Sequence, residues 1–259
     1  MQFYSCELGI IFDKLLIWYK QRKFVSFCLY VVIVFYLSIP SFSIPFLEYG
    51  EFRVTSLMEE RALGSFLLFL PKQSWADLDE INPNLLRSII SMEDVNFFRH
   101  KGIDWREIEK SMRANKRKKR IARGGSTITM QLAKNLFLRT DKNIFRKAKE
   151  FLITTRLEKE VSKNTILENY VNAVEWGDGI FGIKKASEIY FDKQPKDLTI
   201  NESSRLAAVI PSPLKHKPTD NSSYVRRRSS LIKGRYNDIL LDLQNDESIS
   251  LVKKKKKRR

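Results

Sequence analysis

The sequence predicts a mainly helical protein with one apolar anchor segment near its N-terminus. Only 10 glycines and 8 prolines occur among 259 residues, which is few for a β architecture with many turns. Apolar residues recur at helical spacing after clear helix-start signals. The length fits an anchored domain of ordinary size, and 17 phenylalanines supply material for its core. We therefore predict an α-class fold in which a helical domain follows the anchor.

The predicted anchor lies within the first 47 residues. No charged residue occurs from Phe24 to Leu47, and about 20 apolar residues are enough to cross a bilayer core. Basic residues precede this segment and mostly acidic ones follow it, which places the N-terminus in the cytoplasm. We predict a cytoplasmic segment at 1–23, one transmembrane helix at 24–47, the main domain at 48–245 on the outer side, and a disordered basic tail at 246–259. A cleaved signal peptide is the alternative, although no Ala-x-Ala cleavage site follows.

The net charge of +17 is concentrated in two runs of basic residues. Residues 253–259 contribute seven positive charges, and residues 116–120 contribute five. Such runs fit anionic partners such as nucleic acid, lipid head groups or pyrophosphate-bearing substrates, and they equally fit solvated segments. Neither GxGxxG nor GxxxxGK[ST] occurs, so we expect no nucleotide cofactor. Cys6 and Cys28 have no metal-ligand spacing and define no disulfide framework.

Helix-start signals divide the main domain into short helices. Asn82 followed by Pro83 is a typical N-cap and first helical position, and the helix that they open is expected to end at Glu93. Asp104 and Glu107 open the next helix in the manner of a capping box. Further elements are predicted at 66–70 (a strand), 162–172 (a helix), 177–179 (a turn), 183–191 (a helix) and 224–241 (a helix). Another helix is predicted to open at a capping box of Thr199 and Glu202 and to be stopped by Pro211 and Pro213.

Two helices carry apolar stripes that we predict to be core. In the first, Trp105, Ile108 and Met112 recur at i, i+3 and i+7. The second follows a Gly-Gly-Ser-Thr segment at 124–127, which brings backbone amides and hydroxyls to the start of the helix. Its apolar residues are Ile128, Leu132 and Leu136. The same period places Gln131, Lys134 and Asn135 on another face, which we predict to be a hydrogen-bonding surface.

Two carboxylates are the strongest chemical candidates. Glu150 lies within about one turn of Arg146 and Lys147 on a helix predicted at 144–161, a spacing that by itself indicates a surface ion pair worth under ~1 kcal/mol. Together with Glu93, however, it is framed by amide, hydroxyl and cationic side chains. Such a set suits glycosyl transfer or hydrolysis, in which one carboxyl handles a proton and its surroundings stabilise charge on the leaving group.

Other candidate sites are weaker. Asp77 and Asp79 match the Asp-x-Asp pattern of nucleotide-sugar transferases, but three-residue matches are frequent by chance. Ser126 has no adjacent histidine to activate it as a nucleophile. His100 and His216 are the only histidines, which are too few for a histidine-rich metal site. We interpret His100 as a hydrogen-bonded residue that supports the site rather than as a base.

Four motifs in one order resemble those of the family 51 peptidoglycan glycosyltransferases. They are Glu93-Asp94-x-x-Phe97-x-x-His100-x-Gly102, GGSTITxQLAKN at 124–135, Arg146-Lys147-x-x-Glu150, and SKNTILENYVN at 162–172. The resemblance extends from about Leu70 to Leu214, well over half of the chain. The segment that begins at Pro211 is similar to the end of the monofunctional biosynthetic members.

The resemblance implies a lysozyme-like helical head and a smaller membrane-associated jaw. It implies lipid II as the substrate, polymerised outside the cytoplasmic membrane into β-1,4 glycan with release of undecaprenyl pyrophosphate. The implied partners are lipid II, the growing glycan chain, membrane lipids and other cell-wall synthesis or division proteins, and no nucleic acid. A divalent cation such as Mg²⁺ is the cofactor that the resemblance suggests.

The resemblance also assigns roles to individual residues. Glu93 matches the general base, and Glu150 matches a second glutamate that either positions a metal or organises neighbouring cations. The cations expected to neutralise the diphosphate leaving group are Lys134, Lys142, Arg146 and Lys147. The positions that match sugar- and phosphate-binding residues are Ser126, Thr129, Gln131 and Asn135. Met130 replaces a glutamine that is usual in the family, and we expect a tolerated change because it lies one position off the Gln131 face.

Two other functions stay open at this point. A lytic, lysozyme-like hydrolase would use Glu93 as a general acid. A membrane-tethered basic binding protein would bind polyanions, and Glu93→Gln would not affect that binding. The ordered motifs and the anchor beside a lipid substrate favour synthesis.

Overall fold

Helices dominate the computed structural model, which describes residues 13–14, 16–19, 22–40, 43–50, 54–64, 72–119, 124–141 and 143–236. The helices are α1 (Lys23–Leu37), α2 (Ser43–Phe46), α3 (Ser56–Gly64), α4 (Pro83–Glu93), α5 (Trp105–Lys118), α6 (Ile128–Phe137), α7 (Ile144–Glu160), α8 (Lys163–Ala173), α9 (Ile183–Phe191), α10 (Ile200–Val209) and α11 (Ser223–Arg235). Short 3₁₀ turns occupy Leu78–Glu80 and Pro195–Asp197. The mainly helical prediction is confirmed.

The predicted anchor at 24–47 contains α1, which is 15 residues long, and the four-residue α2. In the described part of the chain no helix is both long enough and apolar enough to cross a membrane. The transmembrane helix therefore stays a prediction. Residues 1–41 form one compact unit and residues 42–259 form a second, which holds every element from α2 onward.

The predicted helix starts are confirmed by capping hydrogen bonds. At α4, the Asn82 side chain accepts from the Asn84 amide at 2.9 Å, and a proline occupies the first helical turn. The Ser162 hydroxyl caps α8 in the same way. At α10, Thr199 and Glu202 form a reciprocal capping box. Each of these residues satisfies backbone amides that a helix leaves unpaired at its first turn.

Much of the core is formed within two groups of packed helices. Helix α4 packs against α10 and α11, and α6 contacts both α7 and α8. Ile128, Leu132 and Leu136 of α6 are buried, as their spacing predicts. A small sheet of order β1-β3-β2 comprises β1 (Lys72–Gln73), β2 (Glu175–Gly177) and β3 (Ile180–Phe181), with β1 parallel and β2 antiparallel to β3. The predicted turn at 177–179 joins β2 to β3.

The prediction that the apolar stripe of α5 is core is wrong. Trp105 is 64% exposed and Met112 is 67% exposed. The ring of Trp105 contacts Phe151 of α7, with ring centroids 5.8 Å apart, and Phe151 is itself exposed. Helical spacing shows that apolar side chains share a face, but it does not show what lies opposite that face. The buried residues of α7 are Glu150, Ile153, Thr154 and Leu157.

Several predictions fall wholly or partly outside the described residues. These are the strand at 66–70, the site residue Lys142, the end of the basic run at 116–120, the end of the helix at 224–241, and the basic tail at 246–259. The helix predicted at 144–161 is confirmed as α7, which ends one residue earlier. The helix predicted at 183–191 has the predicted bounds.

Candidate active site

Glu93 is the last residue of α4, where its side chain meets α6. Its Oε2 accepts a hydrogen bond from Nε2 of Gln131 at 2.8 Å. Within the described part of the chain, Oε1 accepts no hydrogen bond and is available to a substrate hydroxyl. Burial raises the pKa of this carboxyl above its ordinary value, whereas the Gln131 hydrogen bond and the nearby Arg228 and Lys134 charges act in the opposite direction. A carboxylate with a raised pKa is a better proton acceptor than an ordinary glutamate.

The next residue, Asp94, joins the end of α4 to the start of α6. Its carboxylate accepts from the Ile128 backbone amide at 3.0 Å and contacts Nε2 of His100 at 2.9 Å. A carboxylate at a helix N-terminus is favoured by the helix dipole. Glu93 directly precedes Asp94, and Gln131 lies one turn after Ile128. The hydrogen bond between Asp94 and Ile128 therefore helps to keep the side chains of Glu93 and Gln131 together. His100 therefore supports the site through Asp94, as the sequence indicates.

Glu150 is paired on both oxygens. The residue is 3% exposed, and its carboxylate accepts hydrogen bonds from Arg146 at 2.7 Å and from Lys147 at 2.5 Å. The Asn143 side chain caps α7 by accepting from the Arg146 amide at 2.7 Å, which places both cations in the first turn. The ion pair that the spacing predicts is thus present, but its carboxylate is buried rather than on the surface. The Glu150 carboxylate thus holds the Arg146 and Lys147 side chains in place.

Lys134 interacts electrostatically with both glutamates. Burial lowers its pKa, Glu150 and Glu93 both raise it, and Arg146 and Lys147 lower it further. These interactions place Lys134 of α6 within electrostatic reach of Glu93 and of the α7 cations. We refer to the three cations Lys134, Arg146 and Lys147 as the cation strip.

The Gly-Gly-Ser-Thr segment packs tightly against α5. A Cβ on Gly125 would lie 3.1 Å from the Cα of Ile108, so only glycine fits there without displacing the helix. Ser126 is exposed on this turn. Thr127 caps α6, donating to the Gly102 carbonyl at 2.5 Å and accepting from the Met130 amide. Gly102 has a φ of 85°, a conformation that favours glycine.

Three other side chains of α6 lie away from solvent. Thr129 is fully buried and donates to Glu158 at 2.5 Å, so the hydroxyl that we predicted to bind sugar or phosphate is committed to a neighbouring helix. Asn135 is also buried. Met130 is 3% exposed, and the tolerance of its replacement of glutamine stays a prediction. Gln131 and Lys134 are the partly exposed members of the predicted polar face.

Sequence reasoning missed two residues of the site. Arg228 of α11 carries a charge that acts on Glu93, and its Nε donates to the Ala208 carbonyl at 3.0 Å. Tyr170 of α8 is fully buried and donates from its hydroxyl to Oε1 of Gln131 at 3.0 Å. Arg228 lies in an arginine run and Tyr170 lies in the fourth motif, but neither pattern shows that the residue approaches Glu93. That proximity depends on how the helices pack.

The divalent cation stays a prediction. No group of three or more histidine, cysteine, aspartate or glutamate side chains with metal-binding geometry occurs in the described ranges. Both oxygens of Glu150, the one residue that we predicted as a ligand, already pair with cations. Mg²⁺ is ordinarily held by one or two carboxylates together with substrate phosphates and water. We therefore assign no step of the chemistry to a metal.

The fold and the site together define a class of protein. A helical scaffold places a carboxyl with a raised pKa beside an amide donor, and Lys134 of the cation strip acts electrostatically on that carboxyl. This arrangement suits enzymes that form or break a glycosidic bond, with a proton handled at one end and an anionic group held at the other.

Comparison with known proteins narrows this class. The profile of the Transglycosylase family matches residues 60–237. A biosynthetic peptidoglycan transglycosylase of Haemophilus influenzae is 38% identical over 217 residues, which is 83% of this chain and 86% of the relative. A protein of the same name from Herminiimonas arsenicoxydans is 43% identical over 161 residues, and one from Laribacter hongkongensis is 40% identical over 167 residues. These alignments cover 62% and 64% of this chain, and 70% and 73% of the relatives. The chain belongs to the transglycosylase family.

Proposed function

We propose that this protein is a peptidoglycan glycosyltransferase that polymerises lipid II into β-1,4 glycan strands for the bacterial cell wall, with release of undecaprenyl pyrophosphate. The observation that carries the proposal is the presence in one site of two different groups: Glu93, which has a raised pKa and one oxygen without a partner among the described residues, and the cation strip, two of whose members are held by Glu150. One end of the site accepts a proton, and the other receives a diphosphate. The names of the relatives support the same activity.

Glu93 acts as the general base in this proposal. Its carboxylate takes the proton from the 4-hydroxyl of the acceptor sugar while that oxygen bonds to the anomeric carbon of the donor. The bond from the anomeric carbon to the diphosphate breaks, and its electron pair leaves with the diphosphate oxygen. A donor α-linkage becomes a β-linkage in the product, so a single displacement suffices and no covalent enzyme intermediate forms.

The cation strip stabilises the leaving group. Negative charge builds up on the diphosphate as its bond to the sugar breaks, and preorganised cations lower the energy of that state. Glu150 contributes by holding Arg146 and Lys147 in place, since it pairs with both. Ser126 is exposed on the turn before α6, and the resemblance assigns its hydroxyl to substrate binding. Asn135 and Lys142 remain assigned to substrate by resemblance alone.

The enzyme acts at the outer face of the cytoplasmic membrane, held by one membrane-spanning helix at 24–47. The absence of charge from Phe24 to Leu47 and the basic residues before it support this topology. Sequencing the N-terminus of the protein isolated from membranes tests the anchor. The original N-terminus should be found, whereas a new N-terminus near residue 45 would identify a cleaved signal peptide.

The deciding experiment is conversion of labelled lipid II by the purified full-length chain in detergent. Wild-type protein should produce glycan polymer, and Glu93→Gln should not. Glu188→Gln is a matched control, because Glu188 is an exposed glutamate of α9 that pairs only with Lys185 among the contacts described, and it should polymerise normally. Parallel reactions with Mg²⁺ and with a chelator test the cofactor prediction. Degradation of preformed glycan without polymerisation would instead identify a hydrolase.

A further inference from the structure

Tyr170 is enclosed behind the candidate base. Its side chain is fully buried in α8, and its hydroxyl donates to Oε1 of Gln131 at 3.0 Å. Nε2 of the same amide donates to Glu93 at 2.8 Å. The three side chains therefore form one continuous hydrogen-bonded row from the core to the site, with a single polarity along its length.

The phenol of Tyr170 remains protonated under all ordinary conditions. Burial raises its pKa well above 10, and the negative charges of Glu93 and Asp94 raise it further. A protonated phenol in the core needs an acceptor for its proton, because an unpaired buried donor is costly. Within the described residues, the acceptor that the structure provides is the carbonyl oxygen of Gln131.

The Tyr170 hydrogen bond determines which end of the Gln131 amide faces Glu93. The amide has a carbonyl at one end and an NH₂ group at the other, and the surrounding hydrogen bonds decide its orientation. If the amide turned over, its carbonyl oxygen would face the Glu93 carboxylate, and the Tyr170 proton would lose its acceptor. Both changes are unfavourable, so the row holds the NH₂ group against Glu93.

We propose that Tyr170 is a positioning residue for the reaction, one that orients Glu93 through Gln131 without touching the substrate. This inference rests on the proposed role of Glu93 as general base. Removal of the hydroxyl would leave Oε1 of Gln131 unpaired in the interior, and the amide would then turn or withdraw from Glu93. The carboxylate would lose its donor, become harder to ionise and lose its fixed direction.

The pH dependence of Glu93 involves a small set of neighbouring groups. These are Asp94 on the same segment, Lys134 and the Gln131 amide on α6, Tyr170 on α8 and Arg228 on α11. Tyr170→Phe removes one hydroxyl and leaves all the charges unchanged. Any change in the titration of Glu93 would then report the hydrogen-bonded row rather than a change in local charge.

The test is the titration of Glu93 in full-length protein that carries ¹³C at the glutamate side-chain carboxyls. The Glu93 signal is identified by its disappearance in Glu93→Gln. Tyr170→Phe should raise the midpoint by about one pH unit, the equivalent of one hydrogen bond. Gln131→Met, which removes both hydrogen bonds at similar side-chain length, should raise it at least as much. The double variant should match Gln131→Met, because the hydroxyl acts only through the amide.

Tyr190→Phe is the matched control. Tyr190 is a partly buried tyrosine of α9 whose hydroxyl donates to the Trp176 carbonyl at 3.3 Å, and its loss should leave the Glu93 midpoint unchanged. An unchanged midpoint in Tyr170→Phe would overturn the proposal. So would a double variant whose shift equals the sum of the two single shifts, since the hydroxyl would then act independently of Gln131.

Steady-state kinetics with lipid II provide a second readout. Tyr170→Phe should lower kcat about threefold to tenfold with KM unchanged, and should move the acidic limb of the pH profile to higher pH. A rise in KM with an unaltered acidic limb would contradict a positioning role. If the carboxyl titration follows expectation but the wild type makes no polymer, the hydrogen-bonded row stands and the proposed function fails. If polymer forms but the titration does not respond, the function stands and this inference fails.

Discussion

Glu93 and Glu150 are two glutamates of one site with opposite surroundings. Glu93 meets one neutral donor, Gln131, and burial raises its pKa. Glu150 meets two cations within 2.7 Å and lies almost wholly out of solvent. The same side chain is therefore available for proton transfer in one place and committed to holding cations in the other. The environment of each glutamate, and not the residue type, therefore separates proton transfer from the holding of cations.

Activity should separate the two glutamates most strongly. Glu93→Gln should reduce kcat by on the order of 10²- to 10⁴-fold, because the proton acceptor is lost. Glu150→Gln should reduce it less, by about 10- to 100-fold, because Lys134 and both α7 cations remain in the protein. Polymerisation rates of labelled lipid II check both values. Equal losses in the two variants would mean that Glu150 takes a direct part in proton transfer.

Stability should change in opposite directions. Glu150→Gln should lower the free energy of unfolding by about 1 to 3 kcal/mol, because two charge-assisted hydrogen bonds to a buried carboxylate are lost. Glu93→Gln should instead raise it by about 1 kcal/mol at neutral pH, because a buried charge is removed.

The pH dependence of that gain has a defined sign. The pKa of Glu93 is raised in the folded protein, so folding favours the protonated carboxyl. The stability that protonated Glu93 contributes is complete below the ordinary pKa of 4.5, and it is lost as pH rises through the pKa of the folded protein. The difference between Glu93→Gln and wild type should therefore appear at neutral pH and vanish in acid. Denaturant unfolding at several pH values measures it, and a difference that persists in acid would indicate a cause other than the charge of Glu93.

The pH profile of kcat/KM should contrast the base with the cation strip. Activity should rise as Glu93 ionises and fall as Lys134 loses its proton, and burial lowers the pKa of Lys134 below its ordinary value of 10.5. Lys134→Arg should move the alkaline limb to higher pH, since a guanidinium stays protonated there. The acidic limb should change little. An alkaline limb that stays in place would show that Lys134 does not cause it.

The smallest effect is expected at Thr129, which the resemblance assigns to substrate and the structure places in the interior. Thr129→Val should lower the free energy of unfolding by about 1 kcal/mol through loss of its hydrogen bond to Glu158, with KM changed less than about twofold. Thr155→Val is a matched control, because among the described residues its exposed hydroxyl bonds only to the Phe151 carbonyl of its own helix. A clear rise in KM for Thr129→Val would restore Thr129 as a substrate contact.

Local chemistry let the sequence alone predict the helix starts, the core face of α6 and the family. An N-cap such as Asn82 or Thr199 acts within three or four residues, so its effect is readable from neighbours in the chain. The polar face of α6 was partly predictable for the same reason, since helical period places Gln131 and Lys134 together. Motif order then indicated which carboxylates matter, and the comparisons confirm the family.

Contacts between distant segments were decided only by the tertiary structure. Trp105 and Met112 have the spacing of a core stripe, yet they are exposed because burial depends on what packs opposite them. Arg228 and Tyr170 approach Glu93 from α11 and α8, across 135 and 77 positions of sequence, as their numbers show. The cations that pair with Glu150 lie on its own helix, and the sequence spacing predicts them. The burial of Glu150 and the amide donor that α6 brings to Glu93 follow instead from packing, because a residue type carries no information about the groups that other helices place beside it.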